Sequence, residues 1–259
     1  MLGEARHLSA PVVCSIGTTD AWNAVGLGLD ARVLAELGVR PVAVVAAVSA
    51  QDAGGLHALV ALSPDAIRAQ WASLAALSLG ALRIGALSGI DAIRTVAEIA
   101  RNAGLPTVYD PVLRASAGGR FASPAELVGI MNYLLPTTTI CTPNLAEAAA
   151  LSGRTVDDET SMVAAGLAIR ARGARAVLVT GGHLAGDPID ALIDENGVRV
   201  LRGSRVPGEM RGTGCALGAA ISANLARGHS LDEAVNEARE FVRYKLAAAV
   251  EVGGMRLAY

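Results

Sequence analysis

Short apolar runs rich in β-branched residues alternate along the chain with helical segments that carry their own start signals, and few folds accommodate that alternation. Strands are expected at residues 12–16, 42–48, 82–85, 107–109, 139–141 and 176–179. These runs are mostly apolar rather than alternating, so they suit strands buried on both faces, in a mostly parallel sheet with helices on either side. Ser63-Pro64 places an N-cap before a first-turn proline, while Ser123-Pro-Ala-Glu126 and Ser230-Leu-Asp-Glu233 add a capping-box glutamate. After Gly182 the pattern becomes hairpin-like, with apolar runs at 189–193 and 198–201 around Glu195-Asn196-Gly197. No repeat, low-complexity tract or linker interrupts the 259 residues, so one α/β domain over 1–259 is expected, large enough for a full core.

Composition removes several functional classes. The formal net charge of −2 offers nothing to nucleic acid or an anionic membrane. Although 52% of residues are apolar, no uninterrupted run reaches the roughly 18–20 residues of a membrane span. The polar start Met1 to His7 does not read as a signal peptide. Cys14, Cys141 and Cys215 are scattered without metal-ligand spacing, which argues for a reducing, cytoplasmic setting and no disulfide framework. Lys245 is the only lysine, so a phosphate must be held by backbone amides, arginines or a metal.

In an open parallel sheet, ligands bind beyond the carboxyl ends of the strands. The polar residues expected there are Thr18-Thr19-Asp20, Gln51-Asp52, Asp110, Asn144 with Glu147, and Thr180-Gly181-Gly182-His183. Each could instead cap a helix or shape a turn; together they form one rim. Gly212-Thr213-Gly214-Cys215-Ala216 passes from residues that tolerate unusual backbone angles straight into helix formers. Glycines admit a ligand close to the backbone, and the free amides of a first helical turn favour an anion, usually phosphate. Cys215 stands where the helix dipole would lower a thiol pKa. The alternative is a tight loop with a buried cysteine.

Ile16-Gly-Thr-Thr-Asp20 through Gly26-Leu-Gly-Leu-Asp30, Ser49-Ala-Gln51, Arg83-Ile-Gly85, Asp110-Pro-Val112, Thr142-Pro-Asn-Leu-Ala-Glu147, Leu178-Val-Thr-Gly-Gly-His183 and Gly212-Thr-Gly-Cys215 occur in that order. The set resembles the hydroxymethylpyrimidine/phosphomethylpyrimidine kinases of thiamine biosynthesis, a branch of the ribokinase-like superfamily. The resemblance implies a three-layer sandwich with a mostly parallel central sheet, and transfer of the ATP γ-phosphate to 4-amino-5-hydroxymethyl-2-methylpyrimidine and then to its monophosphate. It implies Asp30 and Gln51 as ligands of the pyrimidine, with Thr18, Val25, Ala86 and Val112 lining its pocket. Asn144, Thr180, Gly181, Arg211 and Thr213 would serve the nucleotide. Glu147 would hold Mg²⁺, with Asp110 as a further metal-shell carboxylate. Gly212 and Gly214 would form the anion loop, and Cys215 would accept or orient the substrate hydroxyl proton. The expected partners are ATP and a small pyrimidine, and the expected assembly is a homodimer.

The chain also departs from the family pattern. Residues 21–25 read Ala-Trp-Asn-Ala-Val where a glycine-rich stretch is usual. Gly28 stands for a common Gln, Ala86 for Met, Thr180 and Ser116 for Lys, and Met210-Arg211 for Thr-His. Arg211 would then replace a missing lysine at the phosphates through its fork of donors, or lie on the surface. Trp22 would stack on the ring or simply pack. Asp30 without a ligand role would be a solvated first-turn carboxylate, and Asn144 with Glu147 would be a capping box.

Other readings remain open at this point. A pyridoxal or pyridoxine kinase phosphorylates a hydroxymethyl group on a similar ring, and a non-catalytic member would bind pyrimidines only. Dinucleotide binding is disfavoured because Gly26-Leu-Gly28 lacks the third glycine and its acidic partner. Cys215 as a covalent nucleophile has no histidine near it in sequence.

Overall fold

The computed structural model describes residues 10–114, 118–182, 184 and 186–257; Ser116 and His183 lie outside the described residues, as do residues 1–9. In chain order the elements are β1 (Val12–Asp20), α1 (Gly26–Glu36), β2 (Arg40–Asp52), β3 (Gly55–Ala61), α2 (Pro64–Ala72), β4 (Leu79–Ile84), α3 (Ile90–Ala103) and β5 (Thr107–Tyr109). They continue with α4 (Pro124–Gly129), β6 (Ile140–Cys141), α5 (Leu145–Ser152), α6 (Glu159–Arg170), β7 (Ala176–Thr180), β8 (Ile189–Asp194) and β9 (Gly197–Arg202). Last come α7 (Thr213–Ala226), α8 (Leu231–Ala248), β10 (Val250–Val252) and β11 (Met255–Leu257).

Nine strands form one sheet in the order β3-β2-β1-β4-β5-β6-β7-β8-β9. The strands from β2 through β7 run parallel, and β3, β8 and β9 extend the two ends with antiparallel pairs. Successive side chains of a strand point to opposite faces, and the core divides accordingly. Cys14, Leu82, Tyr109, Cys141 and Val177 pack with α2, α3, α5 and α6. Their neighbours Val13, Ala81, Val108, Ile140 and Ala176 pack with α1, α7 and α8. This is the three-layer α/β sandwich that the apolar strands required.

All six expected strands and the 189–201 hairpin are present, and Ser63, Ser123 and Ser230 each cap a helix, the last two in capping boxes with Glu126 and Glu233. The expectation of loops after the first two strands is corrected. β1 continues to Asp20 and β2 to Asp52, so Thr18 and Gln51 stand on strands. Cross-strand pairing carries them on, since β1 stays paired with β2 as far as Asp20 opposite Ser49 after its pairing with β4 has ended at Ile16, and β2 turns directly into β3. The pair β10–β11 also lay outside the sequence reading. No helix among the described residues is long and apolar enough to cross a membrane.

β2 pairs with β3 only from Ala47 onward and bulges against β1, where Gly17 faces Val45 and Thr18 faces Ala47. Upstream, the Gln70 carboxamide of α2 replaces the missing strand. It accepts from the Val45 N–H at 2.9 Å and donates to the Val45 carbonyl at 2.9 Å. Gln70→Ala strips both bonds from a part-buried backbone, so urea melts should show a loss of about 1–2 kcal/mol. An unchanged midpoint would show that water replaces the side chain at no cost.

Candidate functional site

The strand ends of β1, β2, β4, β5, β6 and β7 share one rim, and α7 starts above its middle. Gly212 precedes α7 in the left-handed region, with φ +85. A Cβ there would also strike Leu29 and approach the Ala24 carbonyl, so glycine is required on two counts. No side chain caps α7, which leaves its first amides facing outward for an anion. Gly214 is exposed, and a Cβ on it would stand 3.5 Å from Asp110 Oδ2. Val25 borders the same loop, with its Cγ1 3.4 Å from a Cβ placed on Gly212.

Beneath this turn lies a cation for which the sequence reading had no role. Arg83, at the end of β4, is fully buried and donates from Nη2 to Asp110 Oδ2 at 3.0 Å. Its Nε lies 3.6 Å from Asp30 Oδ1, and Nη1 donates to the Ile84 carbonyl. The guanidinium presses so closely on α7 that a Cβ on Gly218 would come within 2.8 Å of Nε. A charge within an otherwise apolar strand was the available signal, because buried ions need partners. Asp30 is 2% exposed, which overturns the solvated-carboxylate alternative. Burial pushes its carboxyl up to about 6, with Arg83 opposing.

Cys215 is partly buried in the first turn of α7, beside Asp110, Arg83 and the Gly26 N–H. The expectation of a dipole-lowered thiol is overturned. Burial, followed by the Asp110 charge, pushes it up to about 12. A helix terminus supplies about 1 kcal/mol, too little against desolvation beside a carboxylate. Asp110 itself is raised by burial, with Arg83 and the Cys215 thiol acting the other way.

Asn144 and Glu147 form a capping box at the start of α5, with bonds of 2.9 and 3.0 Å. Glu147 nevertheless is 8% exposed, and burial and then Asp110 raise its carboxyl. The Asp110 charge after β5 is thus felt by Glu147 in the first turn of α5, and both side chains are buried. Thr180 joins this corner, bridging to Asn144 and donating its N–H to the Pro143 carbonyl at 2.9 Å. Gly181 donates its N–H to Asp190 Oδ1 at 3.0 Å, and a Cβ on it would strike the Ile189 carbonyl. Where β8 begins and β9 ends, a hollow of about 500 Å³ opens, lined by Asp187, Ile189, Arg202, Gly203 and Ser204. Thr213 is partly buried as the first residue of α7.

On the other flank, the Thr18 hydroxyl donates to the Ala86 carbonyl at 2.9 Å, joining β1 to the segment after β4. Val112 follows β5 and donates its N–H to the Asp110 carbonyl at 2.9 Å. Gln51 and Arg211, distant in sequence, meet with Arg211 Nη2 2.9 Å from Gln51 Oε1. The unusual loop is also internally consistent. Asn23, at φ +51, places its side chain in the space a Cβ on Gly28 would need. The Asn and Gly departures thus compensate each other. Trp22 packs against the β10–β11 turn, where a Cβ on Gly253 would stand 2.5 Å from its ring.

The chain matches the family described as phosphomethylpyrimidine kinase over residues 20–258. It is 35% identical over 256 residues to the hydroxymethylpyrimidine/phosphomethylpyrimidine kinase of Streptomyces coelicolor, covering 98% of this chain and 95% of that protein. Among solved structures, the ADP complex of Bacillus subtilis pyridoxal kinase superposes with a TM-score of 0.90 at 26% identity, covering 96% of this chain and 97% of that one. The phosphomethylpyrimidine kinase of Clostridium difficile superposes with a TM-score of 0.79 at 27% identity, covering 91% and 99%.

Because the thiol is held protonated, iodoacetamide should alkylate Cys215 more slowly than free cysteine at pH 7.5, about tenfold faster per pH unit above that. Mass spectrometry of the Cys215 peptide reads the rate. Fast alkylation at neutral pH would restore the dipole-activated thiolate.

Proposed function

The chain belongs to the phosphomethylpyrimidine kinase family and is an ATP-using kinase of thiamine biosynthesis, and we propose the following substrate and division of labour for its one catalytic domain. The substrate is 4-amino-5-hydroxymethyl-2-methylpyrimidine and its monophosphate, the compounds that the relatives' names point to. What carries this reading is the uncapped start of α7 above Asp110, an anion-holding turn aimed at the centre of the rim. In the reaction the γ-phosphorus parts from the β,γ-bridging oxygen and bonds to the hydroxymethyl oxygen, releasing ADP. Such transfer passes through a loose transition state, so positioning and charge stabilisation outweigh base strength.

The amides after Gly212 hold the transferring group, and Thr213 flanks them. Cys215, neutral at physiological pH, orients the attacking hydroxyl, whose proton leaves late. Asp110 lies beside that thiol, ready to take the proton. Val25, Thr18, Ala86, Val112 and Gln51 border the pyrimidine, and Asp30 serves the pocket at one remove by holding Arg83. Asn144, Thr180 and Gly181 frame the nucleotide, whose base takes the hollow beside Ile189 and Gly203.

Mg²⁺ fits this donor set. Among the described residues no group of three or more His, Cys, Asp or Glu is placed to hold a metal. The carboxyls of Asp110 and Glu147 are hard oxygen donors whose mutual repulsion a divalent cation would relieve, and Mg²⁺ often takes one or two carboxylates plus phosphates. When bound, it would neutralise charge on the phosphates. The free cysteines support a cytoplasmic setting. Val48 and Val60, 47% and 63% exposed and paired on the β2–β3 hairpin, leave apolar surface that a second copy would cover in a homodimer.

Coupled ADP-release assays should show Mg²⁺-dependent turnover that requires the hydroxymethylpyrimidine. Release unaffected by the pyrimidine would sink the reading, and turnover confined to pyridoxal would shift it to that vitamin. Cys215→Ala should lower kcat by about 10–100-fold, the cost of one positioning hydrogen bond, with nucleotide affinity retained. Full activity would remove the thiol from the mechanism.

A further inference from the structure

Arg211 does not extend into the anion loop it precedes. Its guanidinium turns toward β2, where Nη2 donates to Gln51 Oε1 at 2.9 Å and Nη1 donates to the Asp52 carbonyl at 2.6 Å. Its own N–H donates to the Arg256 carbonyl at 2.9 Å, tying the segment to β11. Gln51 Nε2 in turn donates to Ser49 Oγ at 3.1 Å, and Ser49 Oγ donates to the Thr19 carbonyl at 3.2 Å. A guanidinium can only donate and a carbonyl can only accept, so both ends of this chain fix its polarity. The amide of Gln51 therefore has one orientation, oxygen toward Arg211 and nitrogen toward Ser49. That leaves it one free N–H and one free lone pair. Gln51 is 8% exposed, so these are the valences it can offer a ligand.

We propose that Arg211 is a specificity-determining positioning residue, which locks the Gln51 carboxamide so that it reads an adjacent amino donor and unprotonated ring nitrogen. The inference rests on the reading that Gln51 faces the pyrimidine ring. The 4-amino group and neighbouring ring nitrogen of the aminopyrimidine supply one donor and one acceptor side by side. The pyridoxal ring has no such pair. The guanidinium charge beside Gln51 also disfavours a ring nitrogen that carries a proton. Both terminal nitrogens of Arg211 are committed to the pocket wall, which is a different task from neutralising ATP phosphates.

The test compares wild type with Arg211→Met, Arg211→Lys and Gln51→Glu, using the full chain. Calorimetric binding of the aminopyrimidine is measured beside steady-state kinetics and thermal melts. Arg211→Met should weaken pyrimidine binding and raise its KM by about 10–100-fold, since a buried amide left to rotate loses its fixed partners. The KM for ATP and kcat should stay within about threefold. The ratio of kcat/KM for the pyrimidine over that for pyridoxal should fall by about tenfold or more. Arg211→Lys should recover part of the affinity, because a single ammonium cannot span both acceptors. Gln51→Glu keeps a partner for Arg211 and should keep the melting temperature while losing the pyrimidine. A raised KM for ATP with pyrimidine binding unchanged would overturn the proposal in favour of a phosphate cation. A lowered melting temperature with both affinities unchanged would reduce Arg211 to a bolt for β11. Tight pyrimidine binding by Gln51→Glu would instead overturn the placement of Gln51 at the ring.

Discussion

The rim depends on one buried cation. Arg83 has no exposed surface, yet it joins four elements: its own β4, Asp30 on α1, Asp110 after β5, and the first turns of α7 through Gly218. Moving an ion out of water costs several kcal/mol, and the cost is offset only by close partners. Removing a partner from such a pair typically costs about 3–5 kcal/mol, because the remaining charge stays buried. The geometry of the anion loop and the position of Asp110 therefore stand or fall together.

This arrangement also bears on the near absence of lysine. With Lys245 as the only lysine, paired at 2.5 Å with Glu36, no ammonium is available to the rim. Its positive elements are the amides of α7, the Arg83 charge beneath them and, in the proposed reaction, Mg²⁺. Arg211 lies nearby but is committed to Gln51 and Asp52. Asp110 and Glu147 place two buried carboxyls, both raised by burial, near the centre, where a cation arriving with the nucleotide would favour their ionised forms.

What could be read in the sequence was what local chemistry decides. The capping boxes at Ser123, Asn144 and Ser230 are signals within four residues, and all three form. Continuous apolar strands gave away the two-faced sheet, since only burial on both sides rewards them. The start of α7 was legible because glycine must occupy the left-handed position at 212. What escaped depends on contacts far apart in the chain. Arg83 meets Asp110 across 27 positions, and Gln51 meets Arg211 across 160. The three-residue strands β10 and β11 pair only with each other, and their period is too short to register. The thiol state of Cys215 depends on the same kind of distant contact. The dipole is visible in sequence, but the carboxylate that outweighs it arrives from another strand.

The claim that Arg83 acts through Asp110 is most directly tested by a double-mutant cycle on kcat with Arg83→Met and Asp110→Asn, each variant checked by thermal melt. If the arginine works by holding that carboxylate, Arg83→Met should lower kcat in the wild-type background and have almost no further effect once Asp110 is Asn. The coupling should exceed about 1.4 kcal/mol, a factor of ten, well above the few tenths expected of independent sites. Additive losses would contradict the account and leave Arg83 a purely structural ion.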